Sequence, residues 1–163
     1  MKIGIIIPTF QEEKNIQETV IEASLKLVTE NIPYEIIVVD DNSSDNTRKI
    51  VSDISKKNKQ VKFFLNDKKK GFGNSIVIGI EQCKCDFFTI FMADNSDSID
   101  DLIKYYHIIQ ENKNLDCVFG DRWTINPPKD YPFIKKIFNR AGNKFIAYLF
   151  NIKYYDITNS FKL

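Results

Sequence analysis

Apolar positions along the chain follow two patterns, which alternate from the first residues to about residue 150. Short runs rich in β-branched and aromatic residues, such as IGIII, YEIIVVD and DFFTIFM, indicate strands buried on both faces. Longer segments carry apolar residues every three or four positions, which is the spacing of an amphipathic helix. The predicted strands are 2–8, 34–40, 61–65, 86–92 and 116–120, and the predicted helices are 12–29, 44–57, 72–82, 99–112 and 133–150.

This alternation predicts a three-layer α/β/α fold, in which helices cover both faces of a mostly parallel open sheet. The 163 residues suit a single domain over 1–163, because neither a Gly/Ser linker nor an internal repeat divides the chain. In open sheets of this kind, ligands bind beyond the carboxyl ends of the strands. The loops that follow the predicted strands are therefore where chemistry is expected.

Composition mainly excludes other classes of protein. Lys and Arg number 23 against 22 Asp and Glu, and the net charge of +1 does not favour nucleic-acid binding. Cys83, Cys85 and Cys117 lack the spacing of a disulfide framework and favour a reducing compartment. For the C-x-C pair we expect small buried thiols rather than a zinc site, since structural zinc takes four ligands. Without a recognisable signal peptide or membrane span, we expect a cytoplasmic protein.

Acidic and polar side chains are concentrated in the loops after the first two strands. In PTFQEE, Phe10 and Glu12 could line a nucleotide pocket, or the acids could simply favour the start of the next helix. In DDNSSD, Asn42 and the serines already suffice to cap a helix. The adjacent carboxylates of Asp40 and Asp41 would repel each other unless a donor or cation meets at least one of them. We therefore favour a functional role for the aspartate pair.

The loop after the fourth strand, ADNSD, follows the most apolar run and puts Asp94 at the edge of the core. Carboxylate oxygens are the ligands that Mg²⁺ and Mn²⁺ prefer, with phosphate oxygens completing the shell. The later acids Asp97, Asp100 and Asp101 could instead favour the N-terminus of the next helix, and both interpretations can hold together. Arg122, after the fifth predicted strand, could reach a diphosphate or pair with a neighbouring acid.

Six segments, in this order and spacing, resemble family 2 glycosyltransferases of the GT-A fold, the nucleotide-diphospho-sugar transferase type. They are IIIPTFQEE, YEIIVVDDNSSDNT, KKGFGNS, FMADNSD, GDRW and DITNSFKL, and together they cover essentially the whole chain. The pattern is most similar to the polyprenyl-phosphate sugar transferases, the group of dolichol-phosphate mannosyltransferase. The resemblance implies transfer of a sugar from a nucleotide diphosphate sugar to an acceptor such as a polyprenyl phosphate, in cell envelope glycan synthesis.

The resemblance also implies roles for individual residues. The nucleotide pocket would be lined by Pro8, Phe10, Glu12, Val39, Asp41 and Ala93. Asp94 and Arg122 would be the catalytic residues, and Asp94 and Asp97 would hold Mg²⁺ or Mn²⁺ on the diphosphate. Met92 replaces the first acid of the family's D-x-D motif, which is why Asp97 is expected to supply the second carboxylate.

The family pattern continues for several tens of residues beyond residue 163, so we expect a C-terminally truncated or split form of such an enzyme. One alternative is a non-catalytic remnant that binds nucleotide or a partner chain. Another is a nucleotidyltransferase, which would normally carry a glycine- and basic-rich loop where this chain has PTFQEE.

The last predicted helix, 133–150, mixes basic and aromatic residues. Lys135, Lys136, Arg140 and Lys144 stand among isoleucines, phenylalanines and a leucine. Such a helix can lie at a membrane interface, here the inner face of the membrane, and a lipid-phosphate acceptor would supply a reason for it. An ordinary helix packed on the sheet remains the alternative.

Overall fold

The computed structural model of the chain describes residues 1–120, 132–152, 154, 156 and 161–163. The strands are β1 (Ile3–Thr9), β2 (Tyr34–Asp40), β3 (Val61–Leu65) and β4 (Phe87–Ile90). The helices are α1 (Ile16–Thr29), α2 (Thr47–Lys57), α3 (Phe72–Gln82), α4 (Ile99–Glu111) and α5 (Phe133–Phe150).

The four strands form one parallel sheet in the order β3-β2-β1-β4. The chain first builds outward from β1 through β2 to β3 and then returns to place β4 on the other side of β1. Strand order therefore reverses at β1, and a crevice opens at such a switch point beyond the carboxyl ends of the strands. Thr9 lies in register with Asp40, so the loops that follow β1 and β2 begin side by side.

Helices cover both faces of the sheet, as the sequence predicts. On one face, α1, α2 and α4 enclose the main core, to which alternate residues of β1 and β2 contribute. On the other face, α3 packs on β1 and β2 around Ile37, Val39 and Ile78. A Cβ on Gly79 would lie 2.3 Å from Cγ2 of Ile6, so glycine at this position allows α3 to approach β1 closely.

The predicted strand at 116–120 is wrong: among the described residues, this segment makes only an isolated antiparallel bridge, between Phe119 and Lys162. Val118 N donates to Leu163 O at 2.6 Å and Leu163 N donates to Val118 O at 3.1 Å. The ring of Phe161 is buried beside Phe91, at 5.8 Å between centroids. The apolar run at 116–120 therefore pairs with residues 162 and 163, next to the buried Phe161, rather than with the edge of β4.

Pro8 does not stop β1, which continues to Thr9. Ile6 O accepts from Phe91 N, so the even positions of β1 direct their backbone groups toward β4. Register with β4 ends at Ile6. A proline at position 8 therefore removes no hydrogen bond from the β1–β2 ladder, because its missing N–H lies on the side of β4, with which register has ended at Ile6.

Candidate functional site

The loops after β1 and β2 are joined by hydrogen bonds in which side chains of the second loop accept from the first. Gln11 N donates to Ser43 Oγ at 2.9 Å, and Gln11 Nε2 donates to Ser44 Oγ at 3.1 Å. Glu12 N donates to Thr47 Oγ1 at 2.9 Å. The segment S-S-D-N-T thus satisfies backbone donors of the first loop, and the two loops form one unit. For the same reason α1 begins at Ile16 and α2 at Thr47, later than predicted.

Asp45, rather than the predicted Asn42 or serines, supports the start of α2. Its Oδ1 accepts from Thr47 N at 3.0 Å and its Oδ2 accepts from Glu13 N at 3.2 Å. Burial acts to raise the pKa of Asp45, but hydrogen bonds from the hydroxyl and N–H of Thr47 and from Glu13 N outweigh it and lower the pKa. Asp45 is therefore an ionised acid at a helix N-terminus, where negative charge is favoured.

Asp40 has a structural role. Its side chain is fully buried, and its Oδ2 accepts from Ser43 N at 3.0 Å and from Arg48 Nε at 2.8 Å. Arg48 Nη2 also donates to Asn42 Oδ1. Within the described part of the chain, Oδ1 of Asp40 is buried and has no hydrogen-bond partner. Asp40 and Arg48 together fix the turn that presents Asp41.

Asp41 holds the loop 66–71 against the end of β2. Its Oδ1 accepts from Asn66 Nδ2 at 2.6 Å and its Oδ2 accepts from Gly71 N at 2.9 Å. Gly71 has φ of 141°, a conformation that residues with a side chain rarely adopt. The carboxylate is half-buried, and a carboxylate has about four acceptor positions in all, so Asp41 can still accept from a ligand.

Loop 66–71 in turn brings a cation to the first loop. Lys70 Nζ lies 5.7 Å from the centroid of the Phe10 ring, and Phe10 is 49% exposed. An exposed aromatic ring beside an ammonium group can offer a stacking face and a positive charge to one ligand. The sequence suggests only a solvated basic turn for Lys68–Lys70, because nothing local indicates that Asp41 folds the turn back over Phe10.

After β4, the two acids of the predicted metal site differ in surroundings. Asp94 is exposed, and its Oδ1 accepts from Ser96 N at 3.1 Å. Asp97 is half-buried, and its Oδ2 accepts from Met92 N at 2.8 Å. Mg²⁺ is usually held by one or two carboxylates together with substrate phosphates. The residues present fit an ion held chiefly by Asp94 and a diphosphate, while Asp97 stabilises the turn.

The loops after β1, β2 and β4 each contain one non-glycine residue with positive φ. They are Gln11 (58°), Asn42 (69°) and Asn95 (59°). Such conformations cost energy and cluster where ligands are bound. Two of the three are asparagines, which tolerate this region well, and each directly follows an Asp in the sequence, which is the signal that the sequence offers.

The other predicted nucleotide residues have their side chains turned inward. Pro8, Val39 and Ala93 are buried, and Val39 packs with the core beneath α3. They can contact a nucleotide only through backbone atoms. Glu12 is half-buried, and its Oε2 accepts from Asn15 Nδ2 at 3.0 Å.

Among the predicted site residues, Arg122 lies outside the described residues. Residues 156–161, which belong to the segment DITNSFKL of the family resemblance, are described only at Asp156 and Phe161, and both of these are buried. The described site therefore consists of the loops after β1, β2, β3 and β4.

A parallel sheet with acidic loops at its carboxyl edge is the architecture of the GT-A glycosyltransferases. Mannosyl-3-phosphoglycerate synthase from Rubrobacter xylanophilus shares the fold with a TM-score of 0.69 and 12% identity, over 99% of this chain and 53% of that one. S. aureus TarS 1-349 in complex with UDP is 26% identical, with a TM-score of 0.55, over 69% of this chain and 33% of that one.

The family model described as "Glycosyl transferase family 2" matches residues 4–162, and the chain belongs to this family. Among characterised relatives, dolichol-phosphate mannosyltransferase of Pyrococcus furiosus is 28% identical over 143 residues. The alignment covers 87% of this chain and 39% of that relative. The chain thus spans well under half the length of this relative.

Proposed function

We propose that this chain binds the donor in a glycosyltransferase that moves a sugar from a nucleotide diphosphate sugar to a polyprenyl phosphate. The carrying observation is that Phe10, Asp41 and Asp94 occupy loops at one edge of the sheet, on the adjacent strands β1, β2 and β4. The TarS structure in complex with UDP and the name of the Pyrococcus furiosus relative support the donor and acceptor classes.

Phe10 would stack on the base, and Asp41 and Glu12 would accept hydrogen bonds from the base or ribose. Pro8, Val39 and Ala93 would shape the pocket through their backbone. Lys70, beside Phe10, adds positive charge where an anionic ligand would enter. This arrangement gives the pocket an aromatic face, carboxylate acceptors and a cation, which suits a nucleoside attached to phosphates.

Asp94, together with the diphosphate, would hold Mg²⁺ or Mn²⁺, and Asp97 would support the turn that presents it. When bound, the ion would offset charge on the diphosphate leaving group. Arg122 would contribute further positive charge near the phosphates. A phosphate acceptor is already anionic, so no side chain is assigned as a general base.

Helix α5 supports contact with a membrane surface. Its exposed apolar residues are Ile134, Ile137, Phe138, Phe145, Tyr148, Leu149 and Phe150. Asn143, on the side opposite most of these residues, is 1% exposed, so the helix buries a polar side chain while most of its large apolar side chains are exposed. Lys135, Arg140 and Lys144 are exposed as well, and residues 133–150 contain no Asp or Glu. An apolar stripe accompanied by cations fits an anionic lipid surface.

Within the described residues, no helix is both long enough and apolar enough to cross a bilayer. The contact that we propose is a peripheral one at the membrane surface. Vesicle co-sedimentation tests it. The chain should sediment with vesicles that contain anionic lipid and less with neutral ones, and Phe138→Asp should reduce the sedimented fraction. Equal sedimentation of this variant and the wild type would contradict the proposal.

The donor proposal is tested by thermal unfolding with GDP-, UDP- and other nucleotide sugars, with and without Mn²⁺. A ligand at 100 times its dissociation constant stabilises the native state by about 2.7 kcal/mol, so a true donor must raise the Tm. Asp94→Asn should abolish the Mn²⁺-dependent part of the shift. The control is Asp53→Asn, which changes an exposed acid on α2. If no nucleotide sugar changes the Tm, the donor proposal is wrong.

A further inference from the structure

The opposite, amino-terminal edge of the sheet carries a cluster that the donor site does not use. The carboxylate of Glu35, at the start of β2, and the thiols of Cys83 and Cys85 lie within 4.8 Å of one another. Glu35 is 2% exposed, whereas both cysteines are half-buried and unoxidised. The cysteines belong to the turn that links the end of α3 to β4. The cluster therefore joins three elements of the fold.

The neighbouring backbone leaves room for these sulfur atoms. A Cβ on Gly4 of β1 would lie 2.4 Å from Sγ of Cys83 and 3.5 Å from Sγ of Cys85. Any side chain at position 4 would displace the Cys83 thiol from its place beside Glu35. The arrangement of two sulfurs and one carboxylate thus depends on a glycine that no turn or positive φ requires.

Three lysine residues hold the carboxylate of Glu35 in place, two through their side chains and one through its backbone N–H. Oε2 accepts from Lys2 Nζ at 2.6 Å and from Lys62 Nζ at 3.0 Å, and Oε1 accepts from Lys84 N at 3.0 Å. One carboxylate facing two ammonium groups leaves an excess of one positive charge. A metal complex that includes this carboxylate and has a net negative charge would remain paired with the two ammonium groups.

We propose that Glu35, Cys83 and Cys85 form a binding site for a thiophilic divalent ion, with Zn²⁺ as the expected occupant. On binding, each thiol transfers its proton to solvent and its thiolate forms a bond to the ion. Two thiolates and one carboxylate on Zn²⁺ give a net charge of −1, the same as that of the Glu35 carboxylate alone, so binding leaves the charge that faces Lys2 and Lys62 unchanged. The half-buried cysteines leave the fourth coordination position open to water.

The separations of the ligand atoms are compatible with this ion after a small adjustment. Zn–S bonds of about 2.3 Å and Zn–O bonds of about 2.0–2.2 Å place tetrahedral ligands about 3.5–3.8 Å apart. Ligand atoms within 4.8 Å would each have to move by less than about 1 Å. Rotation of half-buried side chains can supply that movement. The ion would tie β2 to the turn before β4.

Titration of the chain with Cd²⁺, a spectroscopic substitute for Zn²⁺, tests the site, with a phosphine reductant keeping the thiols reduced. We expect ultraviolet thiolate-to-metal absorption that saturates at one Cd²⁺ per chain and is reversed by Zn²⁺. Cys83→Ser and Cys85→Ser should each weaken binding at least tenfold, whereas Cys117→Ser, the matched control, should not. Asp94→Asn should leave the absorption unchanged, which separates this site from the donor site.

The serine substitutions change the volume of the side chain only slightly, and circular dichroism checks that the variants remain folded. A Zn²⁺-dependent rise in Tm gives a second readout that the Cys83→Ser variant should lose. If Cd²⁺ up to millimolar concentration gives no thiolate absorption, or if the double serine variant absorbs like the wild type, the proposal is overturned.

Discussion

The strongest test of how the second loop is built is the replacement of Arg48 by Met. Arg48 Nε donates at 2.8 Å to the fully buried carboxylate of Asp40, whose other strong donor is Ser43 N at 3.0 Å. Met preserves much of the length and apolar stem of Arg but removes the charge and every donor. The variant therefore leaves a buried carboxylate with one hydrogen bond and no counter-charge.

The expected loss in the free energy of unfolding is large for a residue so near the surface. Breaking a buried ion pair by removing one partner typically costs about 3–5 kcal/mol, because the remaining charge stays buried. The side chain of Arg48 is 38% exposed, so water can partly replace it. We therefore expect the free energy of unfolding to fall by about 2–4 kcal/mol, below the full value for a buried pair.

Urea denaturation followed by circular dichroism measures this loss. The control is Lys56→Met on the same helix, which breaks an exposed pair with Asp53 and should cost under about 0.5 kcal/mol. In the Asp40→Asn background, Arg48→Met should cost at least about 1 kcal/mol less than in the wild type. A cost within about 0.5 kcal/mol of the control, or the same cost in both backgrounds, would refute the reasoning.

Three further predictions concern packing, the donor site and thiol chemistry. Gly79→Ala should lower the free energy of unfolding by about 1–3 kcal/mol because its Cβ would meet Ile6, whereas Gly73→Ala on the same helix has open space and should not destabilise. Asp41→Ala should expose loop 66–71 to proteolysis and weaken nucleotide binding, since this carboxylate holds Asn66 and Gly71. Burial, aided by Cys83 and Glu35, raises the pKa of Cys85 to about 12. In the metal-free chain, iodoacetamide should therefore alkylate Cys85 slowly at pH 8 and much faster as the pH approaches 11. Mass spectrometry measures the extent of alkylation, and rapid modification of Cys85 at pH 8 would contradict this prediction.

Much of the fold follows from local patterns. The bounds of β2, β3, α3 and α5 agree with the prediction, because each has a continuous apolar run or clear helical spacing. The starts of α1 and α2 differ from the prediction, because residues 11–15 and 43–46 form hydrogen bonds to each other and do not extend the helices. These bonds join positions more than 30 residues apart, which local propensity cannot reveal.

The candidate site shows the same limit. Sequence reasoning selects the acidic loops, but it does not distinguish the acid that holds a loop from the acid that faces outward. That distinction depends on partners from elsewhere in the chain, such as Arg48 for Asp40 and Asn66 for Asp41. The position of Lys70 over Phe10 depends on the same contacts and was not predicted.

The acids at the ends of β2 and β4 divide their roles in a similar way. Asp40 and Asp97 bond to the backbone of their own loops, at Ser43 N and Met92 N, and so fix the turns. Asp94 is the exposed carboxylate of its loop. Since a single carboxylate rarely holds Mg²⁺ or Mn²⁺ without further oxygen ligands, the proposed ion should depend on the diphosphate for its affinity. We therefore expect calorimetry to detect much tighter Mn²⁺ binding with UDP or GDP present than without, and equally tight binding in both cases would require a second protein carboxylate on the ion.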